Sequence, residues 1–402
     1  MNKNIKAVFM ILPHRGGTFS VFRSLRDGLR AQGISLDWLA STSSFSQLVK
    51  DPVFEACRHE GKAFDTSGKK ERQVAEEMLA HVEKQSFNTV FVNILTANQD
   101  MSLAAYLPPA VRRIGIVHNI TPGTYSAAKA LRPYLHAAVG VSPRIEQDLV
   151  AKCGFSAEST TTIPNAIDLA PYAQIGPKKY SSPLRLLSLG RIIDIDKGVF
   201  WLPEILNQLF DLPLHLTIAG EGADLPELKN RCASLAGRVT FLGRVAPEAV
   251  PELIAAHDIL LMPSRFEGFG FTLIEAMAGR CVPIASRIRG VTDFVVQQER
   301  TGLLFPIGDT RAAAAAIRKL TVQRSLLTAY ADAGCADVHA RFSTDQMAKS
   351  YLDVMHKTLA STKEVAPPPN KAGFEVLPIG GGWRKFIPNS LKNSLRTWMY
   401  RR

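Results

Sequence analysis

Two carboxylates separated by seven residues, Glu267 and Glu275, stand in the stretch Pro263-Ser-Arg-Phe-Glu-Gly-Phe-Gly-Phe-Thr-Leu-Ile-Glu-Ala-Met-Ala-Gly279. The apolar run Ile259–Met262 ahead of it predicts a strand, and the residues from near Phe271 predict a helix. The loop Glu267-Gly268-Phe269-Gly270 would then lie at the carboxyl end of a strand, where parallel sheets place their ligands. The first amides of such a helix, at Gly270, Phe271 and Thr272, would face an anion. Gly268 and Gly270 carry no side chain to hold a phosphate off the backbone. Glu267 could accept hydrogen bonds from sugar hydroxyls, and Glu275, one turn into the helix, from a ribose diol. Taken alone, the stretch is equally an ordinary strand–turn–helix with Glu275 on a solvated face.

Other strand ends carry matching residue types. Gly190-Arg191 closes an apolar run, and Lys197-Gly198 follows before a helix. Two cations there suit a diphosphate leaving group, whose negative charge grows as its bond to the sugar breaks. Ile218-Ala-Gly220-Glu-Gly222 and Phe241-Leu-Gly243-Arg244 mark two further strand ends. Nearer the N-terminus, Gly16-Gly17 follows the first apolar run, and His118 closes Ile116-Val-His118. Asp194-Ile-Asp196 spells a metal-binding string, but it lies between the two cations, where a bound diphosphate would repel it. It reads as a solvated loop. Asp332, Asp337 and His339 around Cys335 have the spacing of a helix surface and not of a zinc site.

The elements that must position these residues alternate between short apolar runs and helical patterns, which predicts βαβ units and parallel sheets. Strands are expected at Lys6–Leu12, Leu36–Ala40, Thr89–Ile94 and Ile114–His118, with helices containing Val21, Phe22, Leu25 and Leu29 and spanning Glu71–Lys84. Ala170–Pro183, with three prolines and a paired Lys178-Lys179, reads as a linker. Alternation then restarts with strands at Leu184–Leu189, Leu214–Ala219, Val239–Leu242, Ile259–Met262 and Val282–Ala285. Helices are expected between them at Phe200–Phe210, Val250–Ala256 and Thr272–Ala278. The result is an α/β chain of two doubly wound, Rossmann-like domains, 1–170 and 171–342, with a helix at 343–360 crossing back to the first.

Length and composition agree with two soluble-type domains. Of 402 residues, 46% are hydrophobic and 21% charged, so sizeable cores are available. The apolar run at Ile5–Leu12 is too short for a signal peptide, and five scattered cysteines give no disulfide framework or zinc ligand set. A cytoplasmic protein is expected. The net charge is +12, half of it in residues 361–402, which hold eight Lys and Arg against two Asp and Glu. A basic tail on a nearly balanced body does not indicate nucleic acid. Within the tail, Leu391, Leu395, Trp398 and Met399 recur at helical spacing beside Lys392, Arg396, Arg401 and Arg402. That pattern suits either docking on an anionic membrane surface or packing against the N-terminal domain.

The motifs from Ser188 to Pro306, in order S-L-G-R, K-G, A-G-E-G, F-L-G-R, P-S-R-F-E-G-F-G-F-T-L-I-E-A-M-A and G-L-L-F-P, resemble the retaining glycosyltransferases of family 4, the group 1 glycosyltransferases. Gly16-Gly17, His118, Val141-Ser-Pro143 and Ile163-Pro-Asn-Ala-Ile-Asp168 extend the resemblance over about residues 5–360. It departs in Ala166, where the family has Gly, and in a slightly long step from Arg191 to Lys197. The resemblance implies a GT-B fold, two Rossmann-like domains facing each other across a cleft. It implies transfer of a sugar from a nucleotide-sugar donor to an acceptor hydroxyl with retention at the anomeric carbon, and no residue is assigned as a covalent nucleophile. Glu267 would contact the donor sugar, Glu275 the ribose, Arg191 and Lys197 the diphosphate, and His118 the sugar. Gly16, Gly17, Gly190, Gly220, Arg244, Gly268, Phe269, Gly270, Phe271 and Thr272 would complete the donor site. No cofactor and no essential metal are expected. A lipid-linked or glycan acceptor would fit synthesis of a cell-surface polysaccharide, lipopolysaccharide or glycolipid on the inner face of the membrane. A sugar-nucleotide epimerase of the same fold, or a non-catalytic glycan- or nucleotide-binding protein, are the alternative readings.

Overall fold

Runs of apolar residues buried on both sides build parallel sheets, because crossover helices cover both faces. The computed structural model describes residues 5–14, 16–94, 98–180, 182–235, 237–370 and 373–377, and in it these runs form two such sheets. The first comprises β1 (Lys6–Met10), β2 (Ser35–Thr42), β3 (Gly61–Asp65), β4 (Thr89–Asn93), β5 (Arg112–Val117), β6 (Ala137–Gly140) and β7 (Thr160–Thr162). Their order is β3-β2-β1-β4-β5-β6-β7, and every pairing is parallel. The second comprises β8 (Leu184–Leu189), β9 (Leu214–Ala219), β10 (Val239–Gly243), β11 (Ile259–Met262), β12 (Val282–Ser286) and β13 (Leu303–Phe305), in the order β10-β9-β8-β11-β12-β13. In each sheet the strand order reverses once, between β1 and β4 and between β8 and β11. Such a reversal opens a crevice at the carboxyl ends of the two strands.

The sheets belong to two compact units, residues 5–166 with 344–377 and residues 167–343. In the first unit the helix Gly17–Ala31 buries Phe19, Val21, Phe22, Leu25 and Leu29, a stripe at the helical period. The helix Thr344–Ala360 returns to this unit and buries Met347, Ala348, Tyr351, Leu352 and Met355. Gly28 makes their close crossing possible, since an added Cβ would meet Ala348 and the Thr344 carbonyl. In the second unit one core cluster runs through Leu186, Leu202, Leu216, Ile259, Ile284 and Ile317.

Several sequence expectations shift. Strands β3, β6, β7 and β13 are not among those expected from the sequence. His118 lies one residue past β5. The Ala170–Pro183 stretch is not a free linker. Tyr172 is buried, and Lys178 Nζ donates to the carbonyls of Ile254 (3.1 Å) and His257 (2.6 Å). A buried ammonium needs such acceptors, and they bind the segment to the second unit.

The start of the C-terminal tail lies on the first unit. Lys363 Nζ donates to the carbonyls of Leu135 and His136, both at 3.1 Å. The Ala366 amide donates to Pro133 O at 2.8 Å. The Phe374 ring stacks on Tyr106 with centroids 4.3 Å apart. The amphipathic stretch 390–402 lies outside the described residues.

Candidate active site

The loops after β8 and β11 meet at the crevice of the second sheet. Gly190, Arg191, Ile192, Lys197, Met262, Pro263, Ser264 and Thr272 help line a shallow pocket that opens to solvent. β8 ends at Leu189, and Gly190 takes φ +143°, a conformation open to glycine at no steric cost. Asp194–Lys197 then makes a single helical turn, ended by Gly198 with φ +61°. An added Cβ at Gly198 would collide with the Pro263 carbonyl. The extra length between Arg191 and Lys197 is taken up by this turn. From β11, Pro263–Gly270 leads into the helix Phe271–Ala278, whose N-cap Gly270 is left-handed with φ +98° and offers no capping side chain. The first-turn amides lie ahead of the helix's own hydrogen-bond ladder and are oriented as an anion would need.

Lys197 Nζ forms an ion pair with Glu267 Oε1 at 2.6 Å, and Ser264 Oγ donates to the same oxygen at 2.7 Å. The cation assigned to the diphosphate and the carboxylate assigned to the sugar are therefore in contact. Arg191 is more exposed, 65% at its side chain, and its Nη2 stands 3.4 Å from Asp196 Oδ2. Glu275 is not on a solvated face. It is half-buried, and burial pushes its carboxyl up to about 7. The phenol of buried Tyr172 is raised by burial and then by the Glu275 charge, so the two groups lie within electrostatic reach.

Other residues expected here differ in their surroundings. Phe269 is 3% exposed and packs edge-on against Phe271 and Phe342, so its side chain anchors the loop in the core. Gly220 has φ +145°, and an added Cβ would overlap the Gly190 carbonyl oxygen. Its lack of a side chain serves the approach of the β8 and β9 ends. Arg244 is exposed beyond β10 and lies outside the pocket lining. Gly268 sits half-buried between Glu267 and Phe269.

Asp194-Ile-Asp196 is not a solvated loop. Asp194 Oδ1 accepts from the Phe200 amide at 3.0 Å, and Oδ2 accepts from Arg265 Nη2 at 2.7 Å. These bonds consume the carboxylate that a metal would need, and Asp196 faces Arg191. Asp332 pairs with Arg280, and Asp337 with Arg341, on or beside the helix Arg324–Arg341. Among the described residues no group of three or more His, Cys, Asp and Glu is placed to hold a metal ion.

Gly16, Gly17 and His118 belong to the first unit, after β1 and β5. Gly17 opens the helix Gly17–Ala31. An added Cβ on Gly16 would lie 2.8 Å from His14 Cδ2. His14 was not singled out from the sequence. Its Nδ1–H donates to Leu12 O at 2.7 Å, which leaves Nε2 to accept from the Thr18 hydroxyl at 3.0 Å. His118 Nε2 is buried with no hydrogen-bond partner among the described residues. Burial brings its pKa down to about 4, so at neutral pH it offers a hydrogen bond and not a positive charge.

Comparison with known proteins accords with this architecture. Residues 183–322 match the model of the family "Glycosyl transferases group 1". The chain is 29% identical over 155 residues to the N-acetyl-alpha-D-glucosaminyl L-malate synthase of Bacillus anthracis, a match covering 38% of this chain and 40% of that protein. It is 29% identical over 220 residues to the phosphatidyl-myo-inositol mannosyltransferase of Mycolicibacterium smegmatis, covering 52% and 55%. The match thus spans about half the length of these curated relatives. Among solved structures, Anabaena Alr3699/HepE in complex with UDP superposes with a TM-score of 0.73 at 16% identity, over 88% of this chain and 100% of that one. The fold is that of the GT-B glycosyltransferases.

The raised Glu275 carboxyl makes a pH prediction. Ribose hydroxyls donate to the carboxylate form, so donor affinity should be full above pH 7 and fall as pH drops through 7. Binding of a sugar nucleotide, whose diphosphate diester does not titrate in this range, should be roughly tenfold weaker at pH 6 than at pH 8. Calorimetric titration of Glu275→Gln should show weaker binding with no such slope. An unchanged slope in the variant would place the titrating group elsewhere.

Proposed function

We propose that this protein is a retaining glycosyltransferase that moves a sugar from a nucleoside diphosphate donor to an acceptor hydroxyl. The observation that carries this reading is the meeting of Lys197, Glu267 and the Phe271–Ala278 helix N-terminus at one strand-order reversal. Lys197, Arg191 and the first-turn amides would hold the diphosphate, and their field would stabilise the negative charge that grows on it as it departs. Glu275 would take the ribose. Glu267 would exchange part of its bond to Lys197 for donor-sugar hydroxyls as the phosphate claims that cation. His118, neutral, would offer the sugar a hydrogen bond and no charge. An acceptor attacking the face that the diphosphate leaves would pass its proton to the departing phosphate oxygen, which would give retention without a protein nucleophile. The reading assigns no metal to these steps, because Lys197, Arg191 and the first-turn amides would together face the leaving group.

Relatives named as a mannosyltransferase of phosphatidyl-myo-inositol and as lipopolysaccharide core enzymes support a role in glycolipid or surface-polysaccharide synthesis. The experiment is a panel of nucleotide sugars, with and without EDTA, read by mass spectrometry for released nucleoside diphosphate and new glycoside. Turnover of one donor, insensitive to EDTA, is expected. Epimer formation without acceptor, or binding with no turnover of any donor, would contradict it.

Among the described residues no helix is long and apolar enough to cross a membrane. We propose a cytoplasmic enzyme docked on the inner membrane face through its basic tail, where each Lys or Arg near anionic headgroups contributes about 1 kcal/mol. Full-length protein should co-sediment with anionic liposomes, and a form ending at residue 382 should not. Equal sedimentation of the two would remove the tail, and with it the sequence support for a lipid-linked acceptor.

A further inference from the structure

The two loops that carry the proposed donor-binding groups are fastened together by residues to which the proposed function gives no donor contact. Arg265 lies between Ser264 and Glu267 in the loop after β11, and three of its groups reach the turn that ends in Lys197. Its guanidinium donates through Nη2 to Asp194 Oδ2 at 2.7 Å and through Nε to Asp194 O at 2.9 Å. Its backbone amide donates to Asp196 O at 2.8 Å. Its Cζ sits 3.8 Å from the centroid of the Trp201 ring. The Arg265 and Asp194 side chains are both only 18% exposed. Asp194 in turn accepts from the Phe200 amide through Oδ1, and its own amide donates to Asp224 Oδ2 at 2.6 Å. The loops after β8, β9 and β11 are thus joined through the Arg265 guanidinium, the Asp194 carboxylate and amide, and the Asp224 carboxylate.

We propose that Asp194 and Arg265 form a positioning lock, which sets the distance between Lys197 in one loop and Glu267 in the other. The proposal rests on the glycosyl-transfer reading above and gives the Asp194-Ile-Asp196 string a role that involves no metal. The turn Asp194–Lys197 has only four residues and cannot hold its own shape without tertiary support. A fork-shaped guanidinium that engages a carbonyl and a carboxylate at once supplies that support, and a lysine in its place has a single point of attachment. A shift of the lysine by about 1 Å would already cost up to 100-fold in rate.

A double-mutant cycle with a rescue variant tests the lock. Arg265→Ala and Asp194→Asn should each lower kcat about tenfold, with KM for the donor changed less than about threefold. The double variant should lose about tenfold rather than 100-fold, because the same contact is removed twice. Arg265→Lys should fall between Arg265→Ala and the wild type. Hydrogen exchange reads the lock without substrate. In Arg265→Ala the amides of Gly198 and Phe200 should exchange at least about tenfold faster, with β8 and β11 unchanged. A merely structural role would raise exchange throughout the unit and would lower kcat and nucleotide binding together through loss of folded protein. Additive losses in the cycle, or unchanged exchange at Gly198 and Phe200, would overturn the lock. Absence of turnover in the wild type would overturn the glycosyl-transfer reading instead, and the exchange measurement would still decide whether the lock exists.

Discussion

Lys197→Ala is expected to lower turnover by about 100–1,000-fold while weakening donor binding far less, because the charge it faces grows as the glycosidic bond breaks. Lys197 lines the pocket with its side chain only 25% exposed, so solvent screens it poorly. Its removal also strips Glu267 of its cation, leaving that carboxylate with the Ser264 hydroxyl. Arg191→Ala should have a smaller effect, about tenfold, because the Arg191 guanidinium is exposed and screened. The measurement is kcat and KM for the accepted donor in both variants, with the nucleoside diphosphate affinity of each determined by calorimetry. Near-wild-type kcat in Lys197→Ala would mean that the diphosphate sits elsewhere.

Gly220→Ala is expected to be the most damaging single-methyl change in the second unit. The new Cβ would fall on the Gly190 carbonyl oxygen, and the backbone would have to leave φ +145°. Gly220 cannot move away freely, since its amide donates to Gly243 O at 2.7 Å while Gly190 N donates to Ala219 O at 3.0 Å. Overpacking typically costs about 1–3 kcal/mol and a strained backbone about as much again. A loss of about 3 kcal/mol or more is therefore expected, which for a domain of this size lowers Tm by roughly 6–12 °C. Gly190→Ala is the control. It has φ +143° but open space around its added Cβ, so it should cost only the strain. Equal Tm values for the two variants would show that the overlap is relieved by local movement.

The α/β class, most strands of the second sheet and the loop Pro263–Gly270 were legible in the sequence, because buried parallel strands are apolar throughout and glycines mark their ends. β3, β6, β7 and β13 were not. Gly61-Lys-Ala-Phe-Asp65 and Thr160-Thr-Thr162 are short and polar enough to pass for turns, and only pairing with neighbours makes them strands. Site residues were legible by type and less so by task. Gly220 and Phe269 stand in motif positions but serve packing, which depends on what lies opposite them across the fold. Asp194 was read as solvated because nothing along the chain brings Arg265, 71 residues away, to its side. His14, Ser264 and Trp201 act through hydrogen bonds and stacking that leave no periodic or charge signature. The hydrophobic pattern encodes the sheets, while partners distant in sequence determine what each polar side chain does.

The most direct test of glycosyl transfer by this chain is the anomeric configuration of its product. The donor accepted in the panel would be supplied with its acceptor, and the new glycosidic linkage read by proton NMR from its one-bond and vicinal couplings before any spontaneous change. Attack of the acceptor on the face that the diphosphate leaves, with the departing phosphate oxygen taking the acceptor's proton and no protein nucleophile, predicts a glycoside of the same anomeric configuration as the donor. A product of inverted configuration, or release of nucleoside diphosphate with free or epimerised sugar and no glycoside in the presence of acceptor, would contradict it.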